Sequence, residues 1–527
     1  MSVLEHAVTA VRLGPAAAAG CRRRVHLDHD PDALLTAQPP TDLAGRLIRA
    51  QIAEHRAAVL AAVGQEGALK GRSLTSDHHT AVVDLLVPEG GGYRPVLVKG
   101  HRTLDPGAGA LLAPVADPTA RTTSDEFRAR ARTDDMLALA HCQRLLQALG
   151  LAVDGPALGG VVGRGDPVDG MICWLELSDA LLADYDARFA DRVRVAEAAV
   201  SRAQPLALPS RVSECRRCPW DARCTVEMTV VRDVSLIAPG SDADALRAVG
   251  VATVDQLAAA TEEQLAAVAV ARFSGAVRGP ELRDRARAWV HGAPLVRRRD
   301  AVSVPRADIE LDVDMECYLE DGAYLWGTFL SGTEEGLRAA VDAGFEPGYQ
   351  PFGTWSALPS ADEGMAFADF WGYLRELQRV ANETGLTLRA YCYSRQAEER
   401  WLFSTPTRYP EVVGMPSLGE VRAFTASGSW VDMYEMLGRE FVAAGSKRLK
   451  AVAPVAGFAW RDPEPDGANS MLWYERAVGI GGSQADPASR TRLLQYNEDD
   501  VLATRALRTW MTDRAAAQTP TVADLAS

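Results

Sequence analysis

The residues best suited to chemistry lie on one acidic segment and on the last long helix. Residues 309–327 read IELDVDMECYLEDGAYLWG. In a strand, side chains alternate between faces. Ile309, Leu311, Val313, Met315 and Cys317 then share one face, and Glu310, Asp312, Asp314 and Glu316 share the other. Four carboxylates on one face repel one another, and burial without a counter-charge raises their pKa values. A bound divalent cation removes that problem. Alone, such a strand reads first as a solvated sheet edge. The closing segment SRTRLLQYNEDDVLATRALRTWM (489–511) changes this, because Tyr496 and Asp500 stand four residues apart and share a helical face. An acid on a helix facing an acidic strand is the arrangement a site for Mg²⁺ or Mn²⁺ requires. Two such ions activate the attacking water and stabilise the leaving oxygen of a phosphodiester. A tyrosine there orients the water or helps position the general base.

A second chemistry is carried by sulfur. Cys215, Cys218 and Cys224 form C-x2-C-x5-C in SECRRCPWDARCT. Three thiols this close in a reducing compartment signal a metal, and they are one ligand short of a closed four-coordinate site. Of the five other cysteines, Cys21 in GCRRRVHLD is the best fourth ligand, because its basic flanks suit an anionic cluster. Plain reduced thiols are the alternative.

The elements that must position these groups form an α/β protein. Helices are expected near 42–64, 124–149, 178–204, 362–385, 430–441 and 489–511. Strands are expected at 80–87, 94–99, 171–177, 309–317, 323–330 and 388–394, with the glycines at 90–92 turning a hairpin. Between the halves, LRAVGVATVDQLA (246–258) is similar to a helix–hairpin–helix element, with Gly250 in the hairpin and Thr253 capping the next helix. Such hairpins offer backbone N–H groups to phosphate. It is followed by eight arginines (272, 278, 283, 285, 287, 297, 298, 299) against Glu281 and Asp284, a candidate phosphate-contacting stripe. A plain helical linker and a solvated helix are the alternatives.

The composition sets outer bounds. The 527 residues allow two to four domains, and 47% hydrophobic with 24% charged residues is ordinary for a soluble protein. A net charge of −14 argues against a generally basic nucleic-acid binder while leaving room for a local patch. Only Lys70, Lys99, Lys447 and Lys450 are lysines, against 52 arginines (56 − 4). No long apolar run and no signal-peptide pattern occur, and with clustered cysteines this points to the cytoplasm.

One N-terminal cysteine, with C-x2-C-x5-C far downstream, brackets a helix–strand–strand region. In this the first half resembles the iron–sulfur RecB-like nucleases of the PD-(D/E)XK class. The resemblance implies a [4Fe–4S] cluster on Cys21, Cys215, Cys218 and Cys224, with Zn²⁺ as the alternative. It maps a metal-binding acid to Asp84 in AVVDLLV and a catalytic lysine to Lys99 in PVLVKG. The family's E-x-K here reads Leu97-Val98-Lys99, and Gln143 is followed four places on by Gln147 instead of a tyrosine. Leucine cannot ligate a metal, and an upstream Glu54 or His55 cannot repair the site alone. The expectation is therefore a degenerate first site, in a domain serving as a scaffold or DNA-binding surface.

The second half resembles the RNase H-like DEDD exonucleases, and most closely those with a YprB-type domain. D-x-E on the first strand, SKRLKAVAPVAGF (446–458) and Y-x-x-x-D in YNEDDVLAT carry the resemblance. It implies Asp314 and Glu316 as first-strand ligands, Asp312 as an alternative ligand, and Tyr496 with Asp500 as the third motif. The second-motif acid falls on Glu398 in YCYSRQAEERWL, with Glu399 as substitute, and Asp432 is a further ligand or a helix N-terminal acid. The expected architecture is a PD-(D/E)XK-like domain over 1–230, a helical connector over 231–300 and an RNase H-like domain over 301–515. The expected function is a Mg²⁺- or Mn²⁺-dependent 3′→5′ exonuclease acting on DNA, with DNA repair as its setting and a helicase as a partner. The alternatives are an exoribonuclease and a decayed nucleic-acid-binding scaffold.

Overall fold

The computed structural model describes residues 11–34, 43–64, 67–270, 279–482 and 484–526. The chain divides into two compact units, Met1–Val231 and Arg232–Ser527.

In the first unit, the apolar, largely buried runs of His79–Glu89 and Gly92–Val98 pair antiparallel as the glycine run predicts. Gly90 and Gly91 turn the chain at φ 54° and 84°, values open to glycine without strain. The hairpin lies in a seven-stranded sheet, where Gly92–Val98 also pairs parallel with Leu158–Val162. Helix Thr133–Ala148 and helix Asp179–Val200, the latter capped by Ser178, bury Leu139, Leu145, Tyr185 and Phe189 against the sheet. The expected helix over 124–149 begins nine residues later, because residues 122–123 and 127–129 are short strands.

The second unit opens with short helices over Ser241–Ala248, Val254–Ala258, Glu262–Val270 and Gly279–Val290. Gly250 has φ 81°, and Thr253 caps the next helix in a reciprocal pair with Gln256, both as expected. The arginine stripe is a correction. Arg283, Arg285, Arg287, Arg297 and Arg298 donate to the main-chain carbonyls of Ala260, Ala443, Ala258, Thr519 and Gly438. Arg299 pairs with Glu440. Arg283 and Arg287 thus brace the helical segment internally, and Arg285, Arg297, Arg298 and Arg299 tie it to the domain that follows; Arg272 and Arg278 lie outside the described residues.

That domain is built on five strands: β1 (Ile309–Tyr318), β2 (Gly322–Gly332), β3 (Gly348–Gly353), β4 (Leu388–Cys392) and β5 (Trp430–Asp432). Their order is 3-2-1-4-5, with β1, β2 and β3 antiparallel and β1, β4 and β5 parallel. The acidic strand is therefore central and covered on both faces, not a solvated edge. Ile309, Leu311 and Val313 join the core with Phe367, Phe370 and Leu374 of helix α1 (Ala361–Thr384). Helix α2 is Arg395–Arg408, α3 is Gly467–Val478 and α4 is Pro487–Asp513. The helix expected over 430–441 begins only at Met433, because Trp430–Asp432 forms β5.

The acidic face of β1 meets α4, which runs in the opposite direction. Asp500, Thr504 and Arg508 recur every four residues and form one stripe of the helix. Eight helical residues rise about 12 Å and four strand residues about 13 Å, so Arg508 and Asp500 meet successive pairs of acids. Arg508 is fully buried and binds Asp312 through two N–H groups at 3.2 and 2.7 Å. It also pairs with Glu310 and lies 4.1 Å from the Tyr391 ring centroid. Glu310 takes a second guanidinium, Arg306, at 2.6 and 2.8 Å, which helps to hold its carboxyl down at about 2 against the effect of burial.

Replacing Arg508 by leucine leaves two acids buried without their shared cation. We expect a loss of about 3–5 kcal/mol in urea unfolding at neutral pH; a loss below about 1 kcal/mol would show that the ion pair does not hold this face together.

Candidate metal centre

Past the Arg508 pair, the acidic face turns from neutralised to uncompensated. Asp314, Glu316 and Asp500 offer carboxylate oxygens that all lie within 4.8 Å of one another. Each is held by a neutral donor. Asn497 donates to Asp314 Oδ2 at 2.9 Å, Ser470 of α3 to Glu316 Oε2 at 2.9 Å, and Trp460 Nε1 to Asp500 Oδ1 at 2.7 Å. Asn497 is fixed in turn by the Tyr349 hydroxyl, 2.7 Å from its Oδ1. Gly327 stands opposite Asp314 in the β1–β2 register, and a Cβ there would fall 1.6 Å from Asn497 Oδ1. Glycine is what lets the asparagine reach the acid.

Lys450 is the nearby cation, with Nζ 3.8 Å from Asp500 Oδ2. Its ammonium also donates to the Tyr496 hydroxyl and sits 4.5 Å from that ring's centroid. Burial first, then the neighbouring Asp500 and Glu316 charges, push Asp314 well above the carboxylate range. Burial and Asp500 push Glu316 up to about 8. Burial also raises Asp500, against Lys450 and the Trp460 bond, and burial among the acids keeps the Tyr496 hydroxyl protonated. Three converging carboxylates that resist ionisation, Glu316 and Asp500 buried and Asp314 half-buried, offer hard oxygen donors that fit a divalent cation of the Mg²⁺ or Mn²⁺ type.

Of the expected residues, Asp314, Glu316, Asp500 and Tyr496 come together. Asp312 does not join them, because both of its oxygens are taken by Arg508. Glu398 lies in the first turn of α2, fully buried, and its Oε2 has no hydrogen-bond partner. Its charge further raises Asp314, but it is not among the three acids whose oxygens lie within 4.8 Å of one another. Asp432 caps the helix Met433–Glu440, accepting from the amides of Tyr434, Glu435, Ser394 and Arg395 at 2.8–3.2 Å. Lys450, Asn497, Ser470, Trp460 and Tyr349 were not expected at the site. For Lys450 a signal existed in the scarcity of lysine and its place in SKRLKAVAPVAGF; for the others no spacing pointed there.

In the first unit, Cys21, Cys215, Cys218 and Cys224 line one pocket together with Arg23, Arg24 and Trp220. The two cysteine segments are clasped by Glu214, which accepts from Cys21 N at 2.8 Å and from Arg24 at 2.6 Å, and by Trp220 donating to Asp28 at 2.7 Å. Burial raises the Cys215 and Cys218 thiols and pushes Cys224 up to about 11. Four sulfur donors in one pocket suit a soft metal or a cluster. Among the described residues, the acidic triad is the one group of three or more ligand atoms within 4.8 Å of one another, so no three of these sulfurs approach that closely.

Asp84 and Lys99 also line one cavity, with Leu97 between them in sequence. Asp84 accepts from Val98 N at 2.7 Å and pairs with Arg56 at 2.8 Å, while Lys99 pairs with Asp135 at 3.0 Å. Helix Leu43–Ala62 thus brings Arg56 to the acid, in place of Glu54 or His55.

The raised carboxyls fix a pH dependence. For Glu316, the folded pKa of about 8 exceeds the unfolded value, so the unfolded state releases its proton first as pH rises. The metal-free protein therefore loses stability between about pH 4.5 and 8 from this group. Mn²⁺ should raise Tm more at pH 8 than at pH 5.5 and release protons on binding, as calorimetry in buffers of different ionisation enthalpy would show. Asp314→Asn should abolish the Mn²⁺ effect and raise the metal-free Tm at pH 8. An Mn²⁺ shift surviving that change would place the metal elsewhere.

A family model described as RNase_H superfamily matches residues 413–512. The match contains Lys450, Trp460, Ser470, Tyr496, Asn497 and Asp500, while β1 precedes it. No curated protein and no solved structure matches the chain. Among the described residues, no helix is long and apolar enough to cross a membrane. The C-terminal domain is RNase H-like, and this points to a nuclease-type phosphodiester hydrolase.

Proposed function

We propose that the C-terminal domain is a metal-dependent nuclease that removes nucleotides from the 3′ ends of DNA. The observation that carries this reading is the triad of Asp314, Glu316 and Asp500, three carboxylates with Lys450 as the cation at their edge, in an RNase H-like domain. The 3′→5′ polarity and the DNA preference follow the resemblance to DEDD exonucleases; the geometry supports the chemistry. Bound Mg²⁺ or Mn²⁺ would activate the attacking water and neutralise charge at the leaving oxygen. Asp314, Glu316 and Asp500 would hold the ions, and the resemblance implies Glu398 as the second-motif acid. Asn497, Ser470 and Trp460 keep the carboxylates aimed before metal or substrate arrives. The Tyr496 hydroxyl, fixed by Lys450, can hold a water by hydrogen bond at the edge of the triad. The Lys450 ammonium adds positive charge where a phosphate would enter.

The first unit is proposed to carry a structural [4Fe–4S] cluster on Cys21, Cys215, Cys218 and Cys224. The four cysteines lining one pocket with Arg23 and Arg24 support an anionic cluster, with Zn²⁺ as the alternative. A cytoplasmic setting suits thiols kept reduced for such a site, and a helicase partner would supply strand ends.

End-labelled single- and double-stranded DNA and RNA, incubated with Mn²⁺, test the first proposal. Wild type should shorten DNA from its 3′ end. Asp314→Asn with Asp500→Asn should slow this on the order of 10³-fold, the equivalent of several kcal/mol of lost metal catalysis. Undiminished cleavage by the double variant would remove catalysis from the triad, and preferential RNA shortening would overturn the DNA assignment. For the cluster, purified protein should be brown and should lose both colour and bound iron on Cys218→Ser; stoichiometric zinc in a colourless protein would refute it.

A further inference from the structure

The cavity around Asp84 and Lys99 has a volume of about 740 Å³, yet its residues do not fit a metal. A divalent ion there needs converging oxygen donors, and buried Leu97 stands where the E-x-K pattern would place one. The acid that remains is occupied, since Asp84 is bonded to Val98 N and to the Arg56 guanidinium. A metal at this carboxylate would stand against a resident positive charge. Lys99 is likewise committed to Asp135, which His101 also contacts at 2.8 Å.

The same cavity is lined by Arg216 and Arg217, the two residues between Cys215 and Cys218. Both are exposed, and among the described residues neither has an acidic partner. The nearby Glu214 is already bound by Arg24 and by the Cys21 amide. Arg56 also lines the cavity, contacts Asp84 through Nε and is half-exposed. Once the paired charges cancel, the two guanidinium groups of Arg216 and Arg217 stand against one lining acid, Asp134, in a chain of net charge −14. Guanidinium is the donor that grips phosphate through paired N–H bonds.

We propose that this cavity is a metal-free grip for the phosphate backbone of a nucleic-acid strand, with Arg56 standing where a metal would sit and Arg216 and Arg217 holding the phosphates. The cysteine segment then has a second use, because folding it around a cluster places both arginines at the cavity. The identity of the ligand as nucleic acid rests on the nuclease reading; the exclusion of metal does not.

The test uses the full chain carrying Asp314→Asn and Asp500→Asn, so that the C-terminal acids neither bind metal nor cleave. Anisotropy of a fluorescein-labelled oligodeoxythymidylate is followed against salt, without added divalent metal. Adding Arg216→Ala and Arg217→Ala should weaken binding about tenfold and lower the slope of log affinity against log salt by about 1 to 2. The Arg216→Lys and Arg217→Lys pair should recover most of both. Unchanged affinity and slope would overturn the grip, as would a loss that lysine does not restore while iron content and thermal unfolding stay normal. In calorimetry the same background should take up no Mn²⁺, and Mn²⁺ uptake that disappears on Asp84→Asn would overturn the exclusion of metal. If wild type cleaves nothing, the nuclease reading fails while both of these measurements still stand.

Discussion

A single buried guanidinium decides what the acidic strand can do. Arg508, with Arg306 as the second cation on Glu310, neutralises Glu310 and Asp312 at one end of β1, which lets a strand with four carboxylates occupy the centre of a sheet. Two turns earlier on the same helix stands Asp500, an acid where a second cation would otherwise be expected. One face of α4 therefore completes an ion pair at its C-terminal end and adds a third carboxylate at the other. The tightly satisfied half anchors the unsatisfied half, so the charge deficit at Asp314 and Glu316 is held in place without unfolding the strand.

The periodic elements were readable in the sequence because alternation and four-residue spacing are local properties. The hairpin turned at Gly90, the paired strands 309–318 and 322–332, and the helix bearing Tyr496 and Asp500 all follow from them. Asp312 was not separable from Asp314, since both share one phase of one strand. What divides them is Arg508, roughly two hundred residues away in sequence. The arginine stripe misled for a related reason. Charge clustering is visible in a sequence, whereas the carbonyls that receive those guanidinium groups appear only after folding. Asn497, Ser470 and Trp460 are common polar or aromatic residues whose importance lies in what they touch.

Both units face the same electrostatic problem and answer it differently. Asp84 is met by Arg56, and Asp312 by Arg508, each a cation supplied by the chain itself. At Asp314, Glu316 and Asp500, the cation supplied among the described residues is Lys450, at the edge of the group. A carboxylate with a fixed guanidinium is closed to metal; one backed only by amide, hydroxyl and indole donors remains open to it.

The space above Gly327 has a consequence for descent. Asn497 fills the volume that any side chain at position 327 would need. A lineage cannot add even a methyl group there while keeping an amide behind Asp314, and a smaller residue at 497 would release that acid. The two positions, on different secondary-structure elements and 170 residues apart (497 − 327), are thus coupled through one shared volume.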